Sequence, residues 1–98
     1  GGIATKRSLD GVLQEKLQRL IRKSIEFAFK NPTESLSFVR KHAQEMDSKV
    51  MQKHIDLYVN DYSLSLGEKG KSAVTKMYNF SVDNNLIRVC NKDLFFHK

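Results

Sequence analysis

The chain has 98 residues, of which 40% are hydrophobic and 29% are charged, and these values are typical of one small globular domain. No apolar run approaches the ~20 residues of a membrane-spanning helix, which excludes such a span. The net charge of +6 would suit an anionic partner, but no block of five like charges occurs. We therefore interpret the charge as a solvated polar surface and expect neither a nucleic-acid nor a membrane partner.

The first residues, Gly1-Gly2, could be the remnant of a cleaved tag or the start of a piece of a longer protein. Residues 1–7 begin with small and β-tolerant residues and predict an extended segment. Ser8 is then predicted to cap the first helix, with Asp10 in its first turn. Apolar residues recur every three or four positions and predict this helix from about Leu9 to Phe29. Two pairs of opposite charge, four residues apart, would stabilise it: Glu15–Arg19 and Glu26–Lys30.

Proline marks the next boundary. Pro32 disfavours helical geometry at Asn31, so the first helix must end there. The same dipeptide predicts the start of a second helix, with Asn31 as its N-cap and Glu34 in its first turn. The predicted apolar face of this helix consists of Leu36, Val39, Ala43 and Met46, with Phe38 beside them.

Asp47 predicts the N-cap of a third helix that runs to about Val59. Its predicted apolar face consists of Val50, Met51, His54, Ile55, Leu57 and Tyr58. From Asn60 to Leu66 polar and apolar residues alternate, which predicts either a brief strand or an extended bridge.

Gly67-Glu68 predicts the start of a fourth helix, whose apolar stripe is Ala73, Val74, Met77 and Tyr78. Gly70 indicates either close approach to another backbone or a frayed first turn. A turn is predicted at residues 83–85, and Leu86–Val89 could form a strand. The fold class is therefore mainly α: an extended segment at 1–7, a four-helix region at 8–83, and a weakly structured tail or short strand at 84–98.

The three histidines are the first candidates for a metal site. His42 and His54 lie on different predicted helices, and His97 lies in the tail. Zinc ligands usually occur in closely spaced pairs, and none is present. Cys90 is the single cysteine, so it excludes an internal disulfide and fits a reducing compartment, the cytoplasm. We predict no metal, cofactor or catalytic role for these residues.

Two aspartates and a glycine pair were also considered as catalytic or phosphate-binding groups. Asp56 lies between apolar residues on the solvent face of its helix, and Asp61 has no partner at a matching spacing. A catalytic carboxylate needs burial or a nearby like charge. Gly67 and Gly70 precede Lys71, but their spacing is too short for a phosphate-binding loop. We expect no catalytic site here.

Aromatic and polar residues leave nucleic-acid binding open as an alternative. Tyr58, Tyr62 and Tyr78 could stack on bases, although helical spacing favours core packing. The second and third predicted helices could form a helix-turn-helix motif, with base contacts from Ser48, Lys49, Gln52 and Lys53. Binding that weakens steeply with salt would distinguish this module, whereas light scattering would detect a helical dimerisation domain.

Several motifs resemble the C-terminal part of the 1,4-dihydroxy-6-naphthoate synthase family: Gly1-Gly-Ile-Ala4, Asn31-Pro32, Val39-Arg-Lys-His-Ala-Gln-Glu-Met46, His54-Ile-Asp-Leu-Tyr-Val-Asn60 and Leu66-Gly67. The resemblance extends over residues 1 to about 80. It implies a menaquinone-pathway lyase that acts on cyclic dehypoxanthine futalosine, with a type II periplasmic-binding-protein-like fold of two α/β lobes. The catalytic histidine of that family lies upstream of the matched region, so no catalytic or binding residue is transferred to this chain.

The resemblance makes the chain a helical support element of a larger enzyme, inactive by itself. Gly1–Thr5 would then be a strand that returns to a sheet of the first lobe. Without that sheet an apolar face would remain unburied. The expected partner is the remainder of the parent enzyme, and such a face also invites pairing with a second copy of the chain.

Overall fold

A computed structural model describes residues 2–44 and 47–96, and these residues form five helices and no strand: α1 (Gly11–Lys30), α2 (Leu36–His42), α3 (Ser48–Tyr58), α4 (Asp61–Leu64) and α5 (Gly67–Asp83). The prediction of a mainly α chain is confirmed. The chain divides into two compact units, Gly1–Ser65 with α1 to α4 and Leu66–Lys98 with α5 and the tail.

Helix α1 begins later than its sequence pattern predicts. Asp10, not Ser8, occupies the N-cap position, and Leu9 closes a turn by donating from its backbone nitrogen to the Lys6 carbonyl at 3.1 Å. The predicted N-cap at Ser8 is therefore wrong. The helix ends at Lys30 before Asn31, as Pro32 requires. Glu26 pairs with Arg22 on the preceding turn at 3.0 Å instead of with Lys30.

Helix α2 is shorter than predicted, because the Asn31-Pro32 step opens a turn. The backbone nitrogen of Glu34 donates to the Asn31 carbonyl at 3.2 Å, and α2 begins only after Ser35. Asn31 is thus the C-cap of α1 and not the N-cap of α2. Leu36, Val39 and Ala43 are half-buried on one side, as predicted, whereas Phe38 is exposed. Met46 lies outside the described residues.

The N-cap predicted for helix α3 at Asp47 is confirmed. One carboxylate oxygen of Asp47 accepts hydrogen bonds from the backbone nitrogens of Lys49 at 2.8 Å and Val50 at 3.1 Å. These bonds satisfy two of the donors that a helix start leaves unpaired. Met51, on the inner side of α3, is only 6% exposed and is the buried hydrophobic side chain of the described part of the chain.

Helix α4 replaces the strand or bridge predicted for Asn60–Leu66, and that prediction is wrong. The side-chain oxygen of Asn60 accepts from the backbone nitrogen of Tyr62 at 3.0 Å, and Ser63 Oγ accepts from the backbone nitrogen of Asn60 at 3.0 Å. This reciprocal cap stabilises a single helical turn despite the alternating sequence. The turn packs against α1.

Helix α5 begins at Gly67, as predicted, and Gly67 adopts a positive φ of 60° that glycine tolerates. Gly70 is buried within the helix, so its first turn is not frayed. The helix ends with Asn85 in the left-handed region, at a φ of 58°. The backbone nitrogens of Leu86 and Asn85 donate to the carbonyls of Ser81 and Val82, which is the Schellman arrangement. Beyond this turn Leu86–Val89 is not a strand, contrary to one of the predicted alternatives.

Candidate functional site

The histidines of the described chain are engaged with aromatic rings. His42 is the last residue of α2, and its ring centroid lies 4.5 Å from that of Phe38. His54 on α3 lies 4.8 Å from Tyr58 in the same way. Both histidines are exposed, and His97 lies outside the described residues. In residues 2–44 and 47–96, no three His, Cys, Asp or Glu side chains are grouped so that they could hold a metal ion.

The candidate carboxylates lie at the surface. Asp56 accepts a hydrogen bond from the Gln52 side-chain nitrogen at 2.7 Å, one turn away on the exposed side of α3. Asp61 is exposed in the first turn of α4. Neither aspartate has the burial that a general acid or base needs. The structure does not bring these two residues together with either histidine into a catalytic cluster.

The glycine and lysine residues at the start of α5 do not form a phosphate-binding loop. Only Ser65 and Leu66 separate α4 from α5, so a helix precedes Gly67 where such a loop requires a strand. Lys71 is half-buried, and its Nζ lies 5.8 Å from the centroid of the Phe95 ring. The lysine therefore has an aromatic contact in the same unit.

The four polar residues considered for base recognition lie on the exposed side of α3. Ser48 accepts a hydrogen bond from Arg40 at 3.1 Å, and Gln52 is bonded to Asp56. Two of the four side chains are thus already engaged within the unit. Lys49 and Lys53 remain exposed and contribute to the positive surface.

Uncovered apolar faces are the most distinctive surface feature of the molecule. In α1, Leu17, Ile21 and Ile25 are half-buried, but the adjoining residues of the apolar arc remain open. We call these adjoining residues the outer face of α1: Leu13, Leu20 and Phe27, which are 41%, 51% and 58% exposed. They repeat every seven residues and so lie in one row along the helix. A globular helix normally covers such a row.

Helix α3 has the same two-sided pattern. Its inner side carries Met51 and Ile55, which are buried and half-buried. The outer face of α3 consists of Val50, His54 and Leu57, which are exposed. Only two of the six residues of the predicted apolar face of α3 are therefore covered, and Tyr58 is exposed as well. In α5 the corresponding exposed side chains are Met77 and Phe80.

The total exposed surface of the chain is larger than that of compact proteins of comparable size. The chain exposes 8634 Å². Two separate compact bodies with the sizes of the two units would together expose roughly 6,800 Å². The excess of about 1,800 Å² is within the range that one side of an obligate interface buries.

Tyr78 is a residue whose role the sequence pattern missed. The sequence pattern places it in the apolar stripe of α5, yet its hydroxyl bonds to the backbone of Cys90 in the tail. A half-buried tyrosine hydroxyl generally needs a hydrogen-bond partner. A tyrosine within an apolar stripe was therefore the sequence feature that could have indicated this contact. Cys90 is half-buried and free.

Comparison with known proteins identifies the family. The sequence matches the menaquinone biosynthesis family over residues 1–83. The chain belongs to this family. The 1,4-dihydroxy-6-naphthoate synthase of Thermus thermophilus is 37% identical over 78 residues, which are 80% of this chain and 29% of that protein. The protein of the same name from Streptomyces coelicolor is 34% identical over 93 residues, which are 95% of this chain and 33% of that protein.

The resemblance to 1,4-dihydroxy-6-naphthoate synthases is therefore confirmed, and the chain spans about a third of the length of these two relatives. No solved structure is similar enough to the chain to count as a match. None of the helices in the described ranges is long and apolar enough to cross a membrane.

Proposed function

We propose that the chain is the C-terminal helical part of a 1,4-dihydroxy-6-naphthoate synthase. In this proposal the whole enzyme is the cytoplasmic lyase of menaquinone biosynthesis that converts cyclic dehypoxanthine futalosine to 1,4-dihydroxy-6-naphthoate. The family match over residues 1–83 and the two relatives of that name support the assignment. The chain supplies structural support, and the catalytic groups belong to the other two thirds of the family-length protein.

One observation carries the support role: the chain matches about a third of its relatives while its apolar rows remain uncovered. The outer faces of α1 and α3 need an apolar partner, because exposed rows of this kind are unusual on a complete globular protein. The polar residues that were candidates for a catalytic or metal site interact with neighbouring residues instead. His42 and His54 stack on rings, and Asp56 binds Gln52.

The partner in this proposal is the remainder of the parent enzyme, which would cover these faces. The whole protein would have the two-lobed, periplasmic-binding-protein-like α/β fold that the family resemblance implies. The chain itself would contribute no catalytic, cofactor-binding or metal-binding residue. Pairing of two copies through the same faces is the competing arrangement, and light scattering distinguishes a monomeric chain from a dimeric one.

A turnover assay tests the support role. The purified 98-residue chain is incubated with cyclic dehypoxanthine futalosine, and the formation of 1,4-dihydroxy-6-naphthoate is followed by chromatography. The Thermus thermophilus relative serves as the positive control under the same conditions. We expect no product from the chain alone. Turnover at a rate comparable with that of the control would refute the proposal that the chain lacks an active site of its own.

A further inference from the structure

The tail of the chain returns along α5 in a regular order. We call residues 84–96 the strap. Its first residues bond to Ser81, since the backbone nitrogen of Leu86 donates to that carbonyl at 2.8 Å. Cys90 then meets Tyr78, and Phe95 meets Lys71, two turns nearer the start of α5. Contacts at successively earlier helical positions mean that the strap runs antiparallel to the helix.

Two hydrogen bonds from one hydroxyl hold the middle of the strap. The backbone nitrogen of Cys90 donates to Tyr78 Oη at 2.6 Å, and this hydroxyl donates to the carbonyl of Cys90 at 3.3 Å. The hydroxyl thus satisfies both backbone groups of a single residue. These groups would otherwise need a strand partner or water, because the strap forms no sheet.

The strap accounts for the pattern of burial around α5. Val74, Tyr78 and Val82 recur every four residues and are half-buried, and they lie on the side of the helix that the strap contacts. On the other side, Met77 and Phe80 are exposed. The strap therefore covers one apolar stripe of α5 and leaves the second open.

The hydroxyl of Tyr78 holds the middle of the strap. Before Cys90, Leu86 and Val89 are 68% and 67% exposed, whereas Leu94 and Phe96 near the end of the strap are more covered, at 38% exposed each. The contact of Lys71 with Phe95 is a single long cation–π pair near the surface, which contributes little. Segments with few buried apolar contacts open at a low free-energy cost. Around Cys90, where the neighbouring apolar side chains are exposed, the two bonds to Tyr78 therefore contribute much of the closing free energy.

We propose that residues 84–96 form a latch over α5 and that the hydroxyl of Tyr78 holds this latch closed through its hydrogen bonds to Cys90. In the closed state the latch hides the stripe of Val74, Tyr78 and Val82. When the two hydrogen bonds to Tyr78 break, the strap lifts around Cys90, and α5 presents apolar residues on both sides. The latch thus controls how much of α5 can pack against another surface, independently of the support role proposed above.

Cys90 reports on the latch directly, because it lies in the strap and is the single thiol of the chain. The test compares the rate at which a thiol-reactive disulfide reagent labels Cys90 in the native 98-residue chain and in the Tyr78→Phe variant. Phenylalanine keeps the ring but removes the hydroxyl. We expect labelling about tenfold faster in Y78F, the effect of losing two ordinary hydrogen bonds. Hydrogen exchange at the Cys90 amide should accelerate by a similar factor.

Tyr58→Phe is the matched control, since Tyr58 is an exposed tyrosine on α3 in the other unit. Its labelling rate should equal that of the unmodified chain, and circular dichroism should show the same helix content for all three proteins. A Y78F rate within twofold of the unmodified chain would overturn the latch. An equal acceleration in Y58F would overturn it too, because the effect would not then belong to the Tyr78 hydroxyl.

Discussion

Asp47 shows how one side chain determines where a helix begins. Its carboxylate accepts from the backbone nitrogens of Lys49 and Val50, so it satisfies two donors at the start of α3. We predict that Asp47→Ala lowers the free energy of unfolding by about 1 kcal/mol, the usual cost of losing an N-cap. Asp47→Ser should retain most of the stability, because serine also caps. Urea denaturation followed by circular dichroism measures both, and a serine variant as unstable as the alanine variant would contradict the capping role.

Met51 and Val50 are neighbours in sequence with opposite environments. Met51 is 6% exposed, whereas Val50 is 49% exposed on the outer face of α3. Met51→Ala removes the most buried hydrophobic side chain of the described chain, and we expect a loss of about 2–3 kcal/mol in unfolding free energy. Val50→Ala should change it by less than about 0.5 kcal/mol. Equal losses in thermal or urea unfolding would show that the inner side of α3 is not the core side.

At the scale of elements, single capping and helix-breaking residues predicted some boundaries correctly, although the N-caps predicted at Ser8 and Asn31 were wrong. The N-cap at Asp47, the end of α1 before Pro32 and the start of α5 at Gly67 all follow from the preferences of single residues. The alternation of polar and apolar residues from Asn60 to Leu66 led to the wrong prediction of a strand or bridge, because a single helical turn is too short to show a helical period. The reciprocal cap between Asn60 and Ser63 was visible in the sequence as two capping residues three apart.

Other features of the elements could not be predicted from the sequence. The bond between Tyr78 and Cys90 joins residues twelve apart across a reversal, which no periodic pattern indicates. The sequence also marks which residues of α1 are apolar but not which of them are covered. Leu17 and Leu20 look equivalent in the pattern, yet only Leu17 is half-buried. What covers a helix depends on the neighbouring chain and therefore has to be seen in three dimensions.

The outer face of α1 allows a direct test of the proposed partner. The partner in this test is a truncated form of the Streptomyces coelicolor relative, from which the third of the length that this chain matches has been removed. We predict that Leu20→Asp weakens binding of the chain to this partner at least tenfold, because a carboxylate would be desolvated in the interface. Gln18→Asp is the matched control, since it also adds one negative charge to an exposed position of α1 but on the opposite side. Surface plasmon resonance gives both affinities.

Two results would contradict this assignment of the outer face. Equal weakening by the two substitutions would indicate a general charge effect rather than contact through Leu20. Unchanged binding in the Leu20→Asp variant would show that the partner leaves this row uncovered. Circular dichroism of each variant confirms beforehand that the helix content is retained.

At the scale of the whole molecule, several observations lead to one account. The chain belongs to the menaquinone biosynthesis family and spans about a third of the length of two relatives. It exposes about 1,800 Å² more surface than two separate compact bodies with the sizes of its two units would expose. Surface of that extent is comparable with one side of an obligate interface. These observations support the proposal that the molecule is an element of a larger protein, which packs against the faces that it exposes.

Reconstitution of turnover tests this account most directly. Product formation from cyclic dehypoxanthine futalosine is measured for the chain alone, for the truncated Streptomyces coelicolor relative alone, and for the two co-expressed and purified as a complex. The account predicts product only from the complex, because the chain supplies support and the truncated relative supplies the catalytic groups. Product from the chain alone, or a stable complex that forms no product, would contradict it.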